Sequence, residues 1–251
     1  GKEKYQKGFN VSTDDWSSLG NLDYIINAVG IIEESGENTF ESIHVDLVKN
    51  LINNSKTLGD PMIIQVSVLG ANPNSKSQYA ATKGRAENML TKTEKWNIIR
   101  PSFVCSPDTT IVKKVRMMKD MSKWLFGFLP MPSQFLTSKF QPVMVEDLSE
   151  LMIQCIHQKL NQEVIYATGE ETYTLVDWIN ISGKGRIKII GIPNWLINIP
   201  FRVFITLFPK IMNKDQYELI GFDNAYDNNH KFHKTLKRKP MSTKQFWIDQ
   251  L

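Results

Sequence analysis

Tyr79 and Lys83 are the pair in this chain whose types and spacing can do chemistry. They stand four residues apart in Tyr79-Ala-Ala-Thr-Lys83, within a stretch whose apolar members Ala86, Met89 and Leu90 recur at helical intervals. On a helix, residues four apart share one face, so the phenol and the ammonium lie side by side. A neighbouring ammonium favours phenolate, which is expected to lower the tyrosine pKa and suit it to proton exchange with a hydroxyl or carbonyl. The ammonium could also donate hydrogen bonds to a ribose. Taken alone, the spacing also fits an ordinary amphipathic helix.

The flanking elements are what would position such a pair. A strand-like run, Met62-Ile-Ile-Gln-Val-Ser-Val68, precedes it, joined by the polar loop Gly70-Ala-Asn-Pro-Asn-Ser-Lys-Ser77. Upstream, Leu22-Asp-Tyr-Ile-Ile-Asn-Ala-Val29 ends at Gly30 and reads as a buried central strand. Phe40, Ile43, Leu47, Val48, Leu51 and Ile52 then mark a helix capped by Asn38 or Thr39. Trp96-Asn-Ile-Ile-Arg100, closed by Pro101, is a third strand. Strands alternating with helices predict a parallel sheet with helices on both faces, joined by right-handed crossovers.

Beyond Pro107 the rhythm loosens. Residues 111–128 read as a helix whose Met117, Met118, Met121, Trp124, Leu125 and Phe128 would pack a core. Phe140-Gln-Pro-Val-Met-Val145 is extended, and Asp147 is placed to cap a helix through Leu148, Leu151, Met152, Cys155 and Ile156. Val164-Ile-Tyr-Ala167 reads as a strand and Tyr173 to Asp177 as a helix start, with a small, mostly helical remainder. The division is then 1–107 for a first α/β domain, which the resemblance described below implies is dinucleotide-binding, and 108–251 for a region completing the sheet and forming a smaller substrate-side part.

At 251 residues, 41% hydrophobic and 22% charged, the composition is that of a soluble globular chain. The formal charge of +4 concentrates in His230-Lys-Phe-His-Lys-Thr-Leu-Lys-Arg-Lys239, which reads as a solvated basic tail able to face anionic lipid or an acidic partner rather than nucleic acid. Cys105 and Cys155 have neither metal spacing nor a disulfide framework, which favours a reducing compartment. No metal site is expected, since His44, His157, His230 and His233 lack ligand company. No apolar run of about 18 residues occurs; the nearest approach, 195–208, is broken by Asn198, Pro200 and Arg202 and reads as a cover over the substrate region or an interfacial segment.

In ordered blocks the chain resembles the short-chain dehydrogenase/reductase superfamily, in its extended and atypical, epimerase/dehydratase-like branch. Asp23-Tyr-Ile-Ile-Asn-Ala-Val-Gly30 is similar to the family's fourth strand and following turn, and Gln65-Val-Ser-Val-Leu-Gly-Ala71 to its fifth strand. Tyr79 and Lys83 match the catalytic pair, Arg100-Pro-Ser-Phe-Val104 the block beside the nicotinamide, and Phe140 to Asp147 the start of the substrate-side helix. Within that branch, Asn27-Ala-Val-Gly-Ile31, Phe40-Glu-Ser-Ile-His44, Val68-Leu-Gly-Ala71, Lys214-Asp-Gln216 and Asp223-Asn224 look most like the NAD(P)H-binding group related to an accessory subunit of respiratory complex I.

The resemblance implies a Rossmann-type, doubly wound α/β fold that binds NADP or NAD, with NADP ahead. It implies an oxidoreductase or epimerase acting on a small molecule through Tyr79, Lys83 and a hydroxyl for which Ser67 is the candidate. Val68 and Leu69 stand where that hydroxyl usually sits, so Ser67 is expected instead to satisfy backbone. Asn10, Val11, Asn27, Ala28, Val29, Gly30, Lys83, Pro101, Ser102 and Val104 are the implied cofactor contacts. Cys105-Ser106-Pro107 replaces the family's Tyr-Gly-Pro-like turn. The glycine-rich phosphate loop is absent before Asp23, and Gly8 to Asp14 resembles a later segment with Asn10 replacing an acid. The resemblance therefore implies either an upstream βαβ unit of about 30 residues or more, the reading favoured here, or a lost phosphate site. The other implied reading is a non-catalytic NADPH-binding accessory or assembly subunit, docking a membrane or respiratory complex through 195–208 and the basic 230–239 segment. The implied location is the cytoplasm, or a mitochondrial matrix peripheral to the inner membrane.

Overall fold

The computed structural model describes residues 14–106, 109–193, 195–196, 215, 217–218, 223–227 and 229–251. Asn10, Val11 and residues 197–208 lie outside that set.

Four strands form a wholly parallel sheet: β1 (Tyr24–Asn27), β2 (Met62–Val66), β3 (Trp96–Pro101) and β8 (Glu163–Ala167), in the order β1-β2-β3-β8. Apolar residues run consecutively along β2 and β3 because both faces are covered. On one face Ile63, Ile98 and Trp96 pack with Leu47, Val48 and Leu51 of α1 (Leu47–Asn54) and with Ala86 and Leu90 of α2 (Gln78–Leu90). On the other face Ile64, Ile99, Ile165 and Ala167 meet Leu148, Leu151 and Cys155 of α5 (Val145–His157). Phe232 and Leu236, from α7 (His230–Leu236), complete that layer. The expected α/β/α layering is therefore present.

A second core is built from α3 (Thr110–Trp124), α4 (Gln134–Thr137), α6 (Leu175–Gly183), α8 (Lys244–Gln250) and a parallel pair, β5 (Phe128–Pro132) with β10 (Lys188–Ile192). Beside it the short strands pair among themselves, β4 (Val104–Cys105) with β7 (Val143–Met144) and β6 (Lys139–Phe140) with β9 (Tyr173–Thr174). Trp178 is its centre, stacked on Phe140 at 5.1 Å and packed on Trp247 at 4.6 Å. The shortness of α6 has a local cause. Thr174 and Asp177 form a reciprocal capping box at its start, and Lys184 closes it in the left-handed conformation.

Several expectations need correction. Among the described residues β1 pairs with β2 alone, and its Tyr24 and Ile26 are exposed rather than buried. Asp147 is the third residue of α5 rather than its cap; it is fully buried, pairs with Arg238 and accepts the Met241 N–H. The basic 230–239 segment is not a solvated tail. Phe232, Thr235 and Leu236 are buried, while Lys231 pairs with Glu163 and Arg238 with Asp147 and Glu150. Helix α3 stops at Trp124, and Met121, Trp124, Leu125 and Phe128 are exposed rather than core. Cys105 and Cys155 are both free and buried. Among the described residues, no helix is long and apolar enough to cross a membrane.

Candidate functional site

The segments assigned a site by sequence leave the sheet at its carboxyl edge. Asn27 to Gly30 follow β1, Ser67 follows β2, and Pro101 to Val104 end β3 and enter β4. In open parallel sheets, ligands lie in the crevice outside this edge, because the strands end there and the loops diverge.

Helix α2 delivers Tyr79 and Lys83 to it. Ser77 caps the helix by accepting the Ala80 N–H, and Asp215 accepts the Gln78 N–H at 2.6 Å. Lys83 is 4% exposed, and its Nζ donates to the carbonyl oxygens of Val29 (3.3 Å) and Val66 (3.2 Å), bridging the ends of β1 and β2. Burial pulls its pKa down to about 8, against the opposing pull of Glu87. The expected lowering of the phenol pKa by this ammonium does not occur. Burial pushes Tyr79 up to about 12, and the ammonium is occupied by carbonyls.

His44 is the residue sequence reasoning missed. It is buried, edge-on to the Tyr79 ring at 5.4 Å and stacked with Phe40 at 5.6 Å. Its Nε2 accepts the Ile31 N–H (3.3 Å), so the proton is assigned to Nδ1, which donates to Thr82 Oγ1 (2.9 Å). The Thr82 hydroxyl in turn donates a hydrogen bond to the Gln78 carbonyl (2.8 Å). Burial, with Lys83 nearby, lowers the His44 pKa to about 3, so the imidazole stays neutral. The available signal was the four-residue spacing of Phe40 and His44, which puts both on one helical face.

That shift fixes a pH dependence. Between the ordinary histidine pKa of 6.5 and about 3, the unfolded chain takes up a proton that the folded one refuses, so stability falls on acidification. From pH 7 to pH 5 the loss from this group is about 2 kcal/mol. His44→Gln, which retains a donor and an acceptor, is expected to lose less by that amount, read from urea midpoints at the two pH values. An equal acid loss in both proteins contradicts the assignment.

The remaining site residues divide. Asn27 Nδ2 donates to Gln65 Oε1 (2.8 Å) while its Oδ1 accepts the Val29 N–H (3.2 Å), which holds the 27–30 turn. Ala28, Val29 and Gly30 are exposed along it. Ser67 is buried, and its Oγ has no hydrogen-bond partner among the described residues, so the expectation that it satisfies backbone fails. Pro101 is tied down, its carbonyl accepting the Leu69 N–H (2.9 Å). Ser102 turns instead to Asn224, donating to its carbonyl oxygen (2.8 Å), and Val104 is half-buried in β4. Arg100 is a brace. Its Nε donates to Glu87 Oε1 (3.0 Å) and its Nη1 to the Tyr166 hydroxyl (3.2 Å), fastening α2 to β3 and β8.

Two features keep the ends of β1 and β2 open to a group placed over them. A Cβ on Gly30 would stand 3.1 Å from Lys83 Nζ and 3.7 Å from His44 Nε2, so glycine keeps the approach to both open. The orphan Ser67 hydroxyl is the second sign, because buried polar groups are otherwise paired. No glycine-rich turn running from a strand into a helix N-terminus occurs among the described residues. Nor does any group of three His, Cys, Asp or Glu among them come together to hold a metal.

Solved structures with this architecture include the UDP-glucuronic acid 4-epimerase of Bacillus cereus in complex with UDP-glucuronic acid and NAD. It matches with a TM-score of 0.65 at 13% identity, over 96% of this chain and 78% of the other. The dTDP-glucose 4,6-dehydratase of Bacillus anthracis, in complex with NAD, matches with a TM-score of 0.63 at 17% identity, over 91% and 71%. The fold is that of the NAD-dependent epimerases and dehydratases. RMD from Pseudomonas aeruginosa, complexed with NADPH, shares this epimerase/dehydratase fold with a TM-score of 0.58 at 13% identity, over 91% and 80%. In sequence, the chain is 22% identical over 235 residues to the mitochondrial NADH-ubiquinone oxidoreductase 40 kDa subunit of Neurospora crassa, covering 91% of this chain. It spans 60% of that relative's length. No family model matches the chain.

Proposed function

We propose that the chain binds a nicotinamide dinucleotide outside the carboxyl ends of β1, β2 and β3, as an oxidoreductase- or epimerase-type protein. The observation carrying this reading is the buried Lys83 ammonium held beside Gly30 at the junction of β1 and β2. Lys83 would hold a ribose, with the 27–30 turn along the cofactor and the Pro101–Val104 block beside the nicotinamide. The bound nicotinamide supplies hydride chemistry. Tyr79, protonated up to about pH 12, would act as the proton donor as a carbonyl is reduced, and Ser67 Oγ would donate to the same oxygen. Residues 1–107 would form the dinucleotide-binding unit and 108–251 would complete the sheet and wall the substrate side. NADP is favoured over NAD.

The relative in the complex I subunit favours a second reading, a dinucleotide held without turnover in an accessory or assembly role, in the cytoplasm or a mitochondrial matrix. Of the segments expected to dock such an assembly, 230–239 buries Phe232, Thr235 and Leu236 while its lysines and Arg238 stay exposed; Trp195 and Leu196 are exposed, and 197–208 lies outside the described residues.

The test is to denature the natively purified protein and identify released nucleotide by mass spectrometry, then to titrate the protein with NADPH and NADH. Retained or titratable dinucleotide is expected, with NADPH the tighter. A protein that neither carries nor binds either one refutes the reading.

A further inference from the structure

Among the described residues, the two most exposed large apolar side chains stand together at the start of the β5–β10 pair. Trp124 is 88% exposed and Phe126 is 93% exposed, with Leu125, Phe128 and Met121 beside them also exposed. Soluble surfaces rarely gather large apolar side chains in one place without a partner. They span the last turn of α3 (Met121, Trp124), the turn that follows it (Leu125, Phe126) and the first residue of β5 (Phe128).

That turn is held out at a conformational cost. Phe126 has φ 55° and Gly127 φ 86°, and the Phe128 N–H closes the turn on the Leu125 carbonyl at 2.9 Å. An aromatic residue in the left-handed region is strained, and glycine would adopt it freely. Observed strain of this kind is a reason to look for function.

A second turn supplies charge. Lys184-Gly185-Arg186 lies against the first, the Lys188 N–H donating to the Gly127 carbonyl at 2.8 Å, and Lys184, Arg186 and Lys188 are exposed. Lys188 Nζ sits 5.7 Å over the Phe128 ring. Lys123 stands at the base of the tip, paired with Asp120, the only acidic residue in 119–128 or 183–188.

We propose that this tip docks the protein on the surface of an anionic lipid bilayer. Trp124, Leu125, Phe126 and Phe128 would enter the headgroup–acyl boundary, where amphipathic aromatic rings are favoured. Lys184, Arg186 and Lys188 would meet lipid phosphates from the rim. An aromatic tip rimmed by cations suits an anionic interface, whereas protein partners commonly take such anchors into charge-depleted pockets. The inference does not depend on dinucleotide binding.

The test is flotation of the full chain with vesicles of phosphatidylcholine containing phosphatidylglycerol, against phosphatidylcholine alone. Binding is expected to the anionic vesicles, to weaken with salt, and to fall about tenfold or more in Trp124→Ser and in Phe126→Gly. Phe126→Gly should at the same time raise the thermal midpoint, since it relieves the strained turn, so loss of binding cannot then be assigned to misfolding. No binding to anionic vesicles, or binding that both variants retain, overturns the proposal. Self-association abolished by the same substitutions in a protein that ignores vesicles also overturns it, and assigns the tip to a protein contact.

Discussion

Gly84→Ala is expected to lower the thermal midpoint by several degrees and to weaken nucleotide binding, although alanine is the better helix former. Gly84 sits in α2 beside Lys83, and the loop after β2 lies directly on it. An added Cβ would be 2.5 Å from Pro73 N, 2.6 Å from Asn72 C and 2.7 Å from Asn72 N. All three are backbone atoms, so no side-chain rotation relieves the contact, and the Asn72 N–H is itself bonded to the Ala80 carbonyl at 3.2 Å. Helix propensity returns about 1 kcal/mol to alanine. Overpacking against fixed backbone costs about 3 kcal/mol or more, so the net loss is about 2 kcal/mol. For a chain of this size that is about 4–8 °C. Moving α2 away from the loop also draws Lys83 from the carbonyls of Val29 and Val66. Calorimetry with a parallel NADPH titration checks both effects, and a raised midpoint contradicts the close packing of loop on helix.

The same contact explains part of what the sequence could reveal. β2, β3 and β8 were legible because consecutive apolar residues such as Ile63-Ile64 and Ile98-Ile99 serve two covered faces, a pattern that survives without tertiary knowledge. β1 carries a similar run, Ile25-Ile26, yet Ile26 is exposed: one-dimensional pattern does not say what covers each face. Tyr79 and Lys83 were legible as a pair on one helical face. Their electrostatics were not, because burial shifts the pKa of each, and the carbonyls that hold the ammonium come from β2 and the turn after β1. His44 was hidden for the same reason, since its partners Ile31 and Thr82 come from a turn and from a different helix. The stripe through Met121, Trp124 and Phe128 read as core because helical periodicity marks an apolar face without identifying what covers it.

Lys83→Met is expected to stabilise the folded protein while costing it nucleotide affinity. Holding a lysine pKa near 8 instead of 10.5 means that the buried ammonium opposes folding at pH 7 by about 3 kcal/mol. Methionine has similar length and no charge to desolvate. It does leave two carbonyls without this donor, at about 1 kcal/mol each, so a net gain of about 1 kcal/mol remains. The sign check is a pH series. Between pH 8 and 10.5 the unfolded wild-type chain binds the proton and the folded one does not, so wild-type stability rises with pH and the methionine advantage shrinks. Affinity for NADPH should meanwhile fall about tenfold or more, as expected where stability has been traded for a binding site. Tyr79→Phe completes the argument. The ring contacts with His44 and Phe40 remain and only the hydroxyl is lost, so stability and nucleotide binding should hold. If the site turns over a carbonyl substrate, its rate should fall about a hundredfold or more, because the proton donor is gone. Unchanged turnover in Tyr79→Phe removes the phenol from the chemistry. A Lys83→Met protein that is destabilised at pH 7 and binds NADPH normally makes the lysine a structural strut between β1 and β2.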